Sequence, residues 1–430
     1  MPLNILIVGA GVCGPALATL LMYADPQHKI TVVERAPSLR VSGQQLDVKA
    51  QGLPILNKIG LQDAIKLLLV AETGLQFVDT KGKSIAEFGV TTGGKRNYSL
   101  TTDREIMRSD LVNTLYEASL ERRKEIDDSA GSGRSGGSLK YEFGKSVTEL
   151  SQDGDGVDVK LSSGETGRYD LVVGADGQGS RTRRLAWGAE ASAAAFHPLG
   201  IHAAYYSIPR AEGEDGMAKW FNAPESRTIL VRNGDRPMTQ VYLFARKNAE
   251  LFRQAYKEPI ARQKETFRQV YAGAGWETDR FLKGMDECDN FYAHEIGQIK
   301  LDTLHKGRVV LVGDAGYCPA PFTGMGTTLS LIGAYVLAGE LAKHKNDIGP
   351  ALKAYSEVVR PPVDEYQRLP PASLNAIFPS SRFGVWVLQN IAWALGSLKV
   401  DQLVHKVLPA ENSDGRWPIP EYPELNLPVS

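Results

Sequence analysis

Cysteine is scarce: Cys13, Cys288 and Cys318 are the three in 430 residues, and they lie far apart. That spacing excludes a disulfide framework and a cysteine-built metal cluster, and the expectation is a reducing, cytoplasmic setting with no metal. Net charge is also small. Lys and Arg number 49 against 50 Asp and Glu, and no basic stripe with interleaved aromatics occurs, which argues against nucleic acid as a partner. No basic leader precedes the first apolar run, so the start does not read as a signal peptide. Long hydrophobic runs are missing too. The nearest approach, Phe383–Val400, is too short for a confident span and is broken by Gln389 and Asn390. It reads as a C-terminal helix, buried or docked on the surface, with shallow membrane contact as the second reading.

What is present begins at the N-terminus. Ile5–Val8 has the composition of a buried parallel strand, and Gly9-Ala10-Gly11-Val12-Cys13-Gly14 follows at once. A helical pattern runs from Pro15 to Tyr23, and a second apolar run, Ile30–Val33, ends in Glu34. This is a βαβ unit with a G-x-G-x-x-G turn and an acid at the tip of its second strand. Gly9 allows the tight turn, Gly11 lets backbone approach a pyrophosphate, and Gly14 lets helix and strand pack closely. The helix N-terminus offers N–H groups and partial positive charge to phosphates, and Glu34 can accept hydrogen bonds from a ribose.

The rest of the chain alternates between two characters. Helices are expected at Gly52–Ile59 and Leu61–Leu69, and antiparallel strands from Gly74 to Leu100. Helical spacing returns at Thr102–Arg123, with Ile106, Leu111, Leu115 and Leu120 on one face and Asp103 as N-cap. Asp127–Ser138 reads as a mobile Gly/Ser loop. Strands are expected at Tyr141–Leu150, Gly156–Leu161 and Tyr169–Val173, the last running into Gly174-Ala175-Asp176-Gly177 and Arg181. Asp176 has two readings, a ribose or phosphate contact and an Asp-Gly turn beside an N-capping Ser180. A second sheet spans Gly200–Phe244, followed by a helical Glu250–Tyr271. Arg308–Val312 is another buried strand. It leads into Gly313-Asp314-Ala315, a Pro-rich loop, and Gly324-Met325-Gly326 opening a helix over Leu329–Lys343. A further helix, beyond Pro361-Pro362, is expected to end near Pro370-Pro371. Cys13 and Cys318, inside the two loops, read as packing residues.

The glycine turn, Gly-Ala-Asp-Gly with its arginine, and Gly-Asp-Ala with its Pro-Gly-x-Gly helix start occur in one order along the chain. Together they resemble the group A flavin-dependent monooxygenases, the aromatic hydroxylases typified by p-hydroxybenzoate hydroxylase. The run Gly43-Gln44-Gln45-Leu46-Asp47, Arg40 upstream and Arg108-Ser109-Asp110-Leu111 are similar to the branch containing the tetracycline-inactivating monooxygenase. The resemblance implies an α/β fold: a Rossmann-like FAD-binding domain, an inserted mixed or antiparallel substrate domain and a C-terminal helical segment. The FAD-binding parts are expected at 1–73, 101–183 and 296–371, the substrate parts at 74–100 and 184–295, and the helical region and tail at 372–430.

The resemblance also implies residue roles. Gly9, Gly11 and Gly14 hold the pyrophosphate of non-covalent FAD, Glu34 its ribose, and Arg35 flanks the adenine. Arg108 neutralises phosphate, Asp314 binds the ribityl chain, and Gly324, Met325 and Gly326 lie at the isoalloxazine, with Asp47 close to the ring. Arg40 matches an NADPH contact, and Asp176 belongs to a motif serving FAD and NAD(P)H. His202, Tyr206, Arg227 and Phe322 are the candidates for substrate contact, and no obligate catalytic residue is named. Simpler readings stand beside these: Arg35 and Arg40 as surface charges, Arg108 paired with Asp110 or Glu105, Asp47 as a turn residue, His202 as a structural histidine. Two departures from the family pattern are Gly316-Tyr317 where a His is common, and Gly333-Ala334 where an acid-Ala pair is common. The implied activity is insertion of one O2 atom, through a flavin C4a-hydroperoxide, into a small aromatic or polycyclic molecule of secondary metabolism. NADPH is favoured over NADH, and the protein is expected to be a monomer or homodimer. A flavin oxidase or reductase, and a flavin-binding protein without turnover, are the alternatives.

Overall fold

The computed structural model describes residues 1–40, 43–90, 104–130, 136–369, 374, 376–397 and 417–428. Its main sheet is built on β1 (Asn4–Val8). This strand pairs in parallel with β2 (Lys29–Glu34) on one side, Ile5 opposite Ile30, and with β11 (Leu171–Gly174) on the other, Ile5 opposite Leu171. β18 (Val309–Leu311) extends the sheet beyond β11, the short β17 (His305–Lys306) closes it, and β7 (Ser138–Phe143) lies outside β2. Ile5, Leu6, Ile7 and Leu171–Val173 are fully buried, as a strand covered on both faces requires. One face is covered by α1 (Cys13–Ala24), α4 (Arg108–Ser129) and α11 (Gly326–Lys343). The other packs on an antiparallel ribbon, β8 (Val147–Gln152), β9 (Val157–Leu161) and β10 (Thr166–Tyr169).

The second sheet has seven strands in the order β16-β12-β15-β14-β13-β4-β5. These are β4 (Gly74–Val78), β5 (Ser84–Gly89), β12 (Phe196–Pro209), β13 (Met217–Ala223), β14 (Arg227–Arg232), β15 (Met238–Ala245) and β16 (Tyr292–Ile299). All neighbours are antiparallel except β13 and β4, which run parallel. One face is covered by α7 (Ala249–Ala255), α8 (Ile260–Tyr271) and α9 (Thr278–Glu287). The other face carries Tyr205, Tyr242 and Phe244, and it meets Ala320 and Phe322 from the segment between β18 and α11. A small ribbon, β3 (Gln45–Asp47) against β6 (Glu105–Met107), bridges the two units. The remaining helices before the C-terminal segment are α2 (Gly52–Lys58), α3 (Gln62–Lys66), α5 (Arg181–Trp187), α6 (Ala189–Ala194), α10 (Asp314–Tyr317) and α12 (Ile348–Tyr366).

Several local expectations are corrected. Ile106 lies in β6, opposite Leu46, and the helix begins only at Arg108. A buried apolar residue satisfies a strand or a helix equally, and the pairing partner decides. That helix runs on through Asp127 to Ser129, supported by an Arg123–Asp127 pair at 2.6 Å. Tyr141–Leu150 is two strands in different sheets, parted at Gly144, whose φ is +71°. Glu250–Tyr271 is two helices, because Pro259 precedes the second. Pro361 and Pro362 lie inside α12 rather than ahead of a helix. Asp103, the Gly93-Gly94 turn and Pro370-Pro371 lie outside the described residues.

The helix Arg382–Ser397 docks on the outer sheet, with Val385 and Ala392 buried and Gly396 close to Ala86. Phe383, Trp386 and Trp393 stay 70%, 58% and 57% exposed, so this is a surface-docked helix. No helix among the described residues is long and apolar enough to cross a membrane.

Candidate active site

The glycine turn has the geometry its sequence implies. Gly9 has φ +114°, donates its N–H to Val33 at 2.8 Å, and a Cβ there would lie 2.5 Å from the Ala175 carbonyl oxygen. A Cβ on Gly14 would overlap the carbonyl oxygen of Gly9. At Gly11 the neighbour is instead the Arg108 guanidinium, 3.4 Å from where a Cβ would sit. Among the described residues no side chain caps α1, so its first-turn N–H groups suit an anion. Glu34 accepts from the N–H groups of Ala10 and Ala36, both at 3.0 Å, and a carboxylate has lone pairs left for a ribose. Burial holds the Arg40 guanidinium below its usual pKa, and Arg35 and Arg108 beside it add to that, while Glu34 opposes them. Arg35, Arg40 and Arg108 therefore gather positive charge next to the turn, which suits a pyrophosphate.

The third segment comes to the same place. Asp314 opens α10 at the end of β18, and burial raises its pKa while Arg108 opposes that. One carboxylate oxygen lies 3.8 Å from where a Cβ on Gly326 would sit, and the Cys13 thiol on α1 is raised by its burial first and by the Asp314 charge second. Gly324 and Met325 use their N–H groups on Pro321 (2.9 Å) and the Thr323 hydroxyl (3.2 Å). The N–H groups without intrahelical acceptors therefore begin with α11 itself, at Gly326. Lys49, paired with Asp47 at 2.8 Å, places its ammonium 2.8 Å from the Cβ position of Gly324. Lys49 was not singled out from sequence; its sole signal is its place two residues after Asp47. These glycine cradles and the charges around them fit FAD, with Asp314 at hand for the polyol and Asp47 and Lys49 at the helix start.

Asp176 is engaged within its own loop, as its turn reading expects. Its carboxylate accepts from the N–H groups of Arg181 (2.8 Å) and Thr182 (3.0 Å) and from the hydroxyls of Ser180 and Thr182. It thereby occupies the first N–H groups of α5, whose N-cap is Ser180, accepting from the Arg183 N–H at 2.9 Å, while the buried Arg183 guanidinium reaches across to the Ala315 carbonyl at 2.7 Å. Asp176→Ala is expected to lower stability by about 1.5–3 kcal/mol through loss of hydrogen bonds to a charged group and to leave the FAD dissociation constant unchanged. Urea unfolding and FAD titration of the variant check this.

The substrate candidates divide between the two faces of the second sheet. Phe322 lies on the inner face, 5.7 Å from Phe244 and 5.9 Å from Phe378 between ring centroids. His202 and Tyr206 do not join it. His202 is fully buried against the helices, stacked on Phe252 at 4.8 Å with Nδ1 at 3.2 Å from the Tyr256 hydroxyl. Tyr206 donates to the Phe281 carbonyl at 3.0 Å, and Arg227 to those of Pro224 and Val270, both at 3.0 Å. All three belong to the packing between sheet and helices. The alternation along β12 is as expected, but its phase is one residue off, which exchanges every side chain between faces.

The inner face carries Tyr205, Tyr242, Phe244, Tyr292 and His294, none of which was singled out from sequence. Tyr205 and Tyr292 stack at 5.0 Å, and Tyr205 and His294 at 5.7 Å. Tyr242 donates to Gln240 at 3.0 Å and accepts from the Gln45 N–H at 3.0 Å, and the Tyr292 hydroxyl bonds Gln44. Burial pushes the His294 imidazole down to about 4, with His202 adding to the shift, so it is neutral at pH 7. An aromatic wall thus faces the loop that leads into α11.

This pairing of a glycine cradle at the end of a parallel sheet with an aromatic sheet face is the arrangement of a dinucleotide-binding enzyme. The chain belongs to the FAD binding domain family, whose pattern matches residues 3–365, and it is an FAD-dependent monooxygenase. It is 40% identical to the FAD-dependent monooxygenase asL6 of Sarocladium schorii over 99% of this chain and 100% of that one. It is 35% identical to the flavin-dependent monooxygenase eupH of a Phoma species, over 92% of each. Among solved structures, the tetracycline destructase Tet(51) superposes with a TM-score of 0.76 at 26% identity, covering 98% of this chain and 100% of that one.

Proposed function

We propose that this enzyme consumes NADPH and O2 to place one oxygen atom in a small aromatic or polycyclic substrate of secondary metabolism. The observation that carries the reading is the convergence of Gly11, Arg108 and Asp314, with the Arg108 charge also acting on Tyr292 of the aromatic face. The fungal oxygenases similar over nearly the whole chain support it. FAD, when bound, supplies electron transfer from the nicotinamide and activation of O2. The chain's own part is to hold and shield. Gly9, Gly11, Gly14, Arg35, Arg40 and Arg108 secure the dinucleotide phosphates, Glu34 the ribose and Asp314 the polyol. Lys49, Asp47 and the start of α11 set the charge around the ring. The aromatic wall orients a flat substrate and keeps water out. Neutral His294 adds a polar edge to that wall without a charge.

The test is NADPH oxidation by the FAD-loaded protein across a panel of polyphenols and polyketide aromatics, followed by mass spectrometry under 18O2. The expected result is substrate-stimulated flavin reduction and one 18O per product molecule. Undiminished turnover without O2 would replace this reading with a reductase, and FAD that never reacts with NADPH would replace it with a binding protein.

A further inference from the structure

We propose that the Tyr205 hydroxyl is the hydrogen-bond donor that selects a substrate carrying a carbonyl oxygen conjugated to its aromatic ring. This rests on the inner sheet face being the substrate wall. Tyr205 is 3% exposed, and its hydroxyl is buried with no hydrogen-bond partner among the described residues. Its neighbours on the same face are already committed: Tyr242 to Gln240 and Gln45, Tyr292 to Gln44.

The ring is also held in place. It is stacked on Tyr292 at 5.0 Å and on His294 at 5.7 Å, and Tyr242 and Phe244 meet it edge-on at 5.2 Å and 6.0 Å. Ala320, Leu374 and Phe378 share its cluster, so it stands where the loop before α11 meets the sheet. Burial keeps the phenol protonated, and the neighbouring tyrosines reinforce this. It is therefore a donor over the whole working pH range. A buried hydroxyl with no partner is destabilising, and phenylalanine would pack the same space without that defect. A fixed, protonated and unsatisfied donor in an aromatic wall is the arrangement that discriminates strongly between an oxygenated ring and its hydrocarbon analogue.

The experiment uses FAD-loaded protein and two shape-matched bicyclic probes, 2-acetylnaphthalene and 2-ethylnaphthalene, titrated by their effect on the flavin absorbance. Wild type is expected to bind the ketone about tenfold more tightly, the effect of one buried hydrogen bond, and Tyr205→Phe to bind both probes alike. FAD-free Tyr205→Phe is expected to melt at or above the wild-type temperature, since it loses no internal bond. A melting temperature several degrees lower would make the hydroxyl structural and overturn the proposal. So would equal weakening of both probes in the variant, or no preference in wild type. Wild type that binds neither probe would remove the substrate wall itself, whatever the variant does.

Discussion

Gly14→Ala is expected to yield colourless protein that binds FAD at least about 100-fold more weakly than wild type. The added methyl would overlap the carbonyl oxygen of Gly9, a backbone atom that cannot swing aside. Relief requires α1 to move away from β1 by an ångström or so, and overpacking of this kind costs about 1–3 kcal/mol of stability. The same movement withdraws the helix N–H groups from the phosphates. Hydrogen bonds to charged groups contribute about 1.5–3 kcal/mol each, so two misplaced donors account for the hundredfold. Gly11→Ala separates the two effects. A methyl there would meet only the flexible Arg108 guanidinium, at 3.4 Å, so the FAD-free protein should melt as wild type does. It would still stand in the path of the pyrophosphate, and FAD affinity should fall. Fluorescence titration with FAD and thermal melts of the FAD-free proteins give both numbers. A yellow Gly11→Ala protein with wild-type affinity would refute the cradle.

Local chemistry made the cradle legible from sequence. The apolar runs of β1 and β2, the glycines and Glu34 act within about 30 residues, and each choice agrees with the others. Asp314 was legible for the same reason, since a strand end in a parallel sheet points at the ligand crevice. The inner wall was not. Alternation along β12 states that Tyr205 and Tyr206 face opposite ways but not which of them faces inward. That is decided by pairing with Tyr242 and Tyr292, each of which is tens of residues away. The two departures from the family pattern turn out to be one feature. A side chain at position 333 would collide with the Tyr317 hydroxyl, which bonds Tyr355 at 3.1 Å. Tyr317 fills the room that Gly333 leaves open, and neither residue reveals this alone.

Arg232→Met is expected to destabilise the protein by about 3–5 kcal/mol at pH 8, the cost of leaving buried charge uncompensated. Arg232, at the end of β14, pairs with Glu72 at 2.7 Å and with Glu105 on β6 at 2.7 Å, and all three residues are buried. Gln45 on β3 reaches the same Glu72 at 3.2 Å. One cation thus ties the second sheet to the ribbon that carries Asp47. The loss should depend on pH in a fixed sense. Burial raises the Glu105 pKa, Arg232 opposes that, and among the described residues the buried Oε2 atom of Glu105 has no hydrogen-bond partner. A carboxyl raised in the folded state adds stability that is complete below its unfolded pKa and is lost as pH rises through the folded value. Without the arginine that rise is larger. The gap between variant and wild type should therefore be small near pH 5 and widen toward pH 8. Adding Glu105→Gln should remove much of the pH dependence, because the glutamine has no proton to exchange. Urea unfolding at the two pH values measures the gap. A pH-independent loss would mean that Arg232 acts through packing alone, and an undisturbed Arg232→Met protein would mean that the two units are joined by other contacts. Because β3 leads directly to Asp47 and Lys49, the same variant should also weaken FAD binding, more at pH 8 than at pH 5.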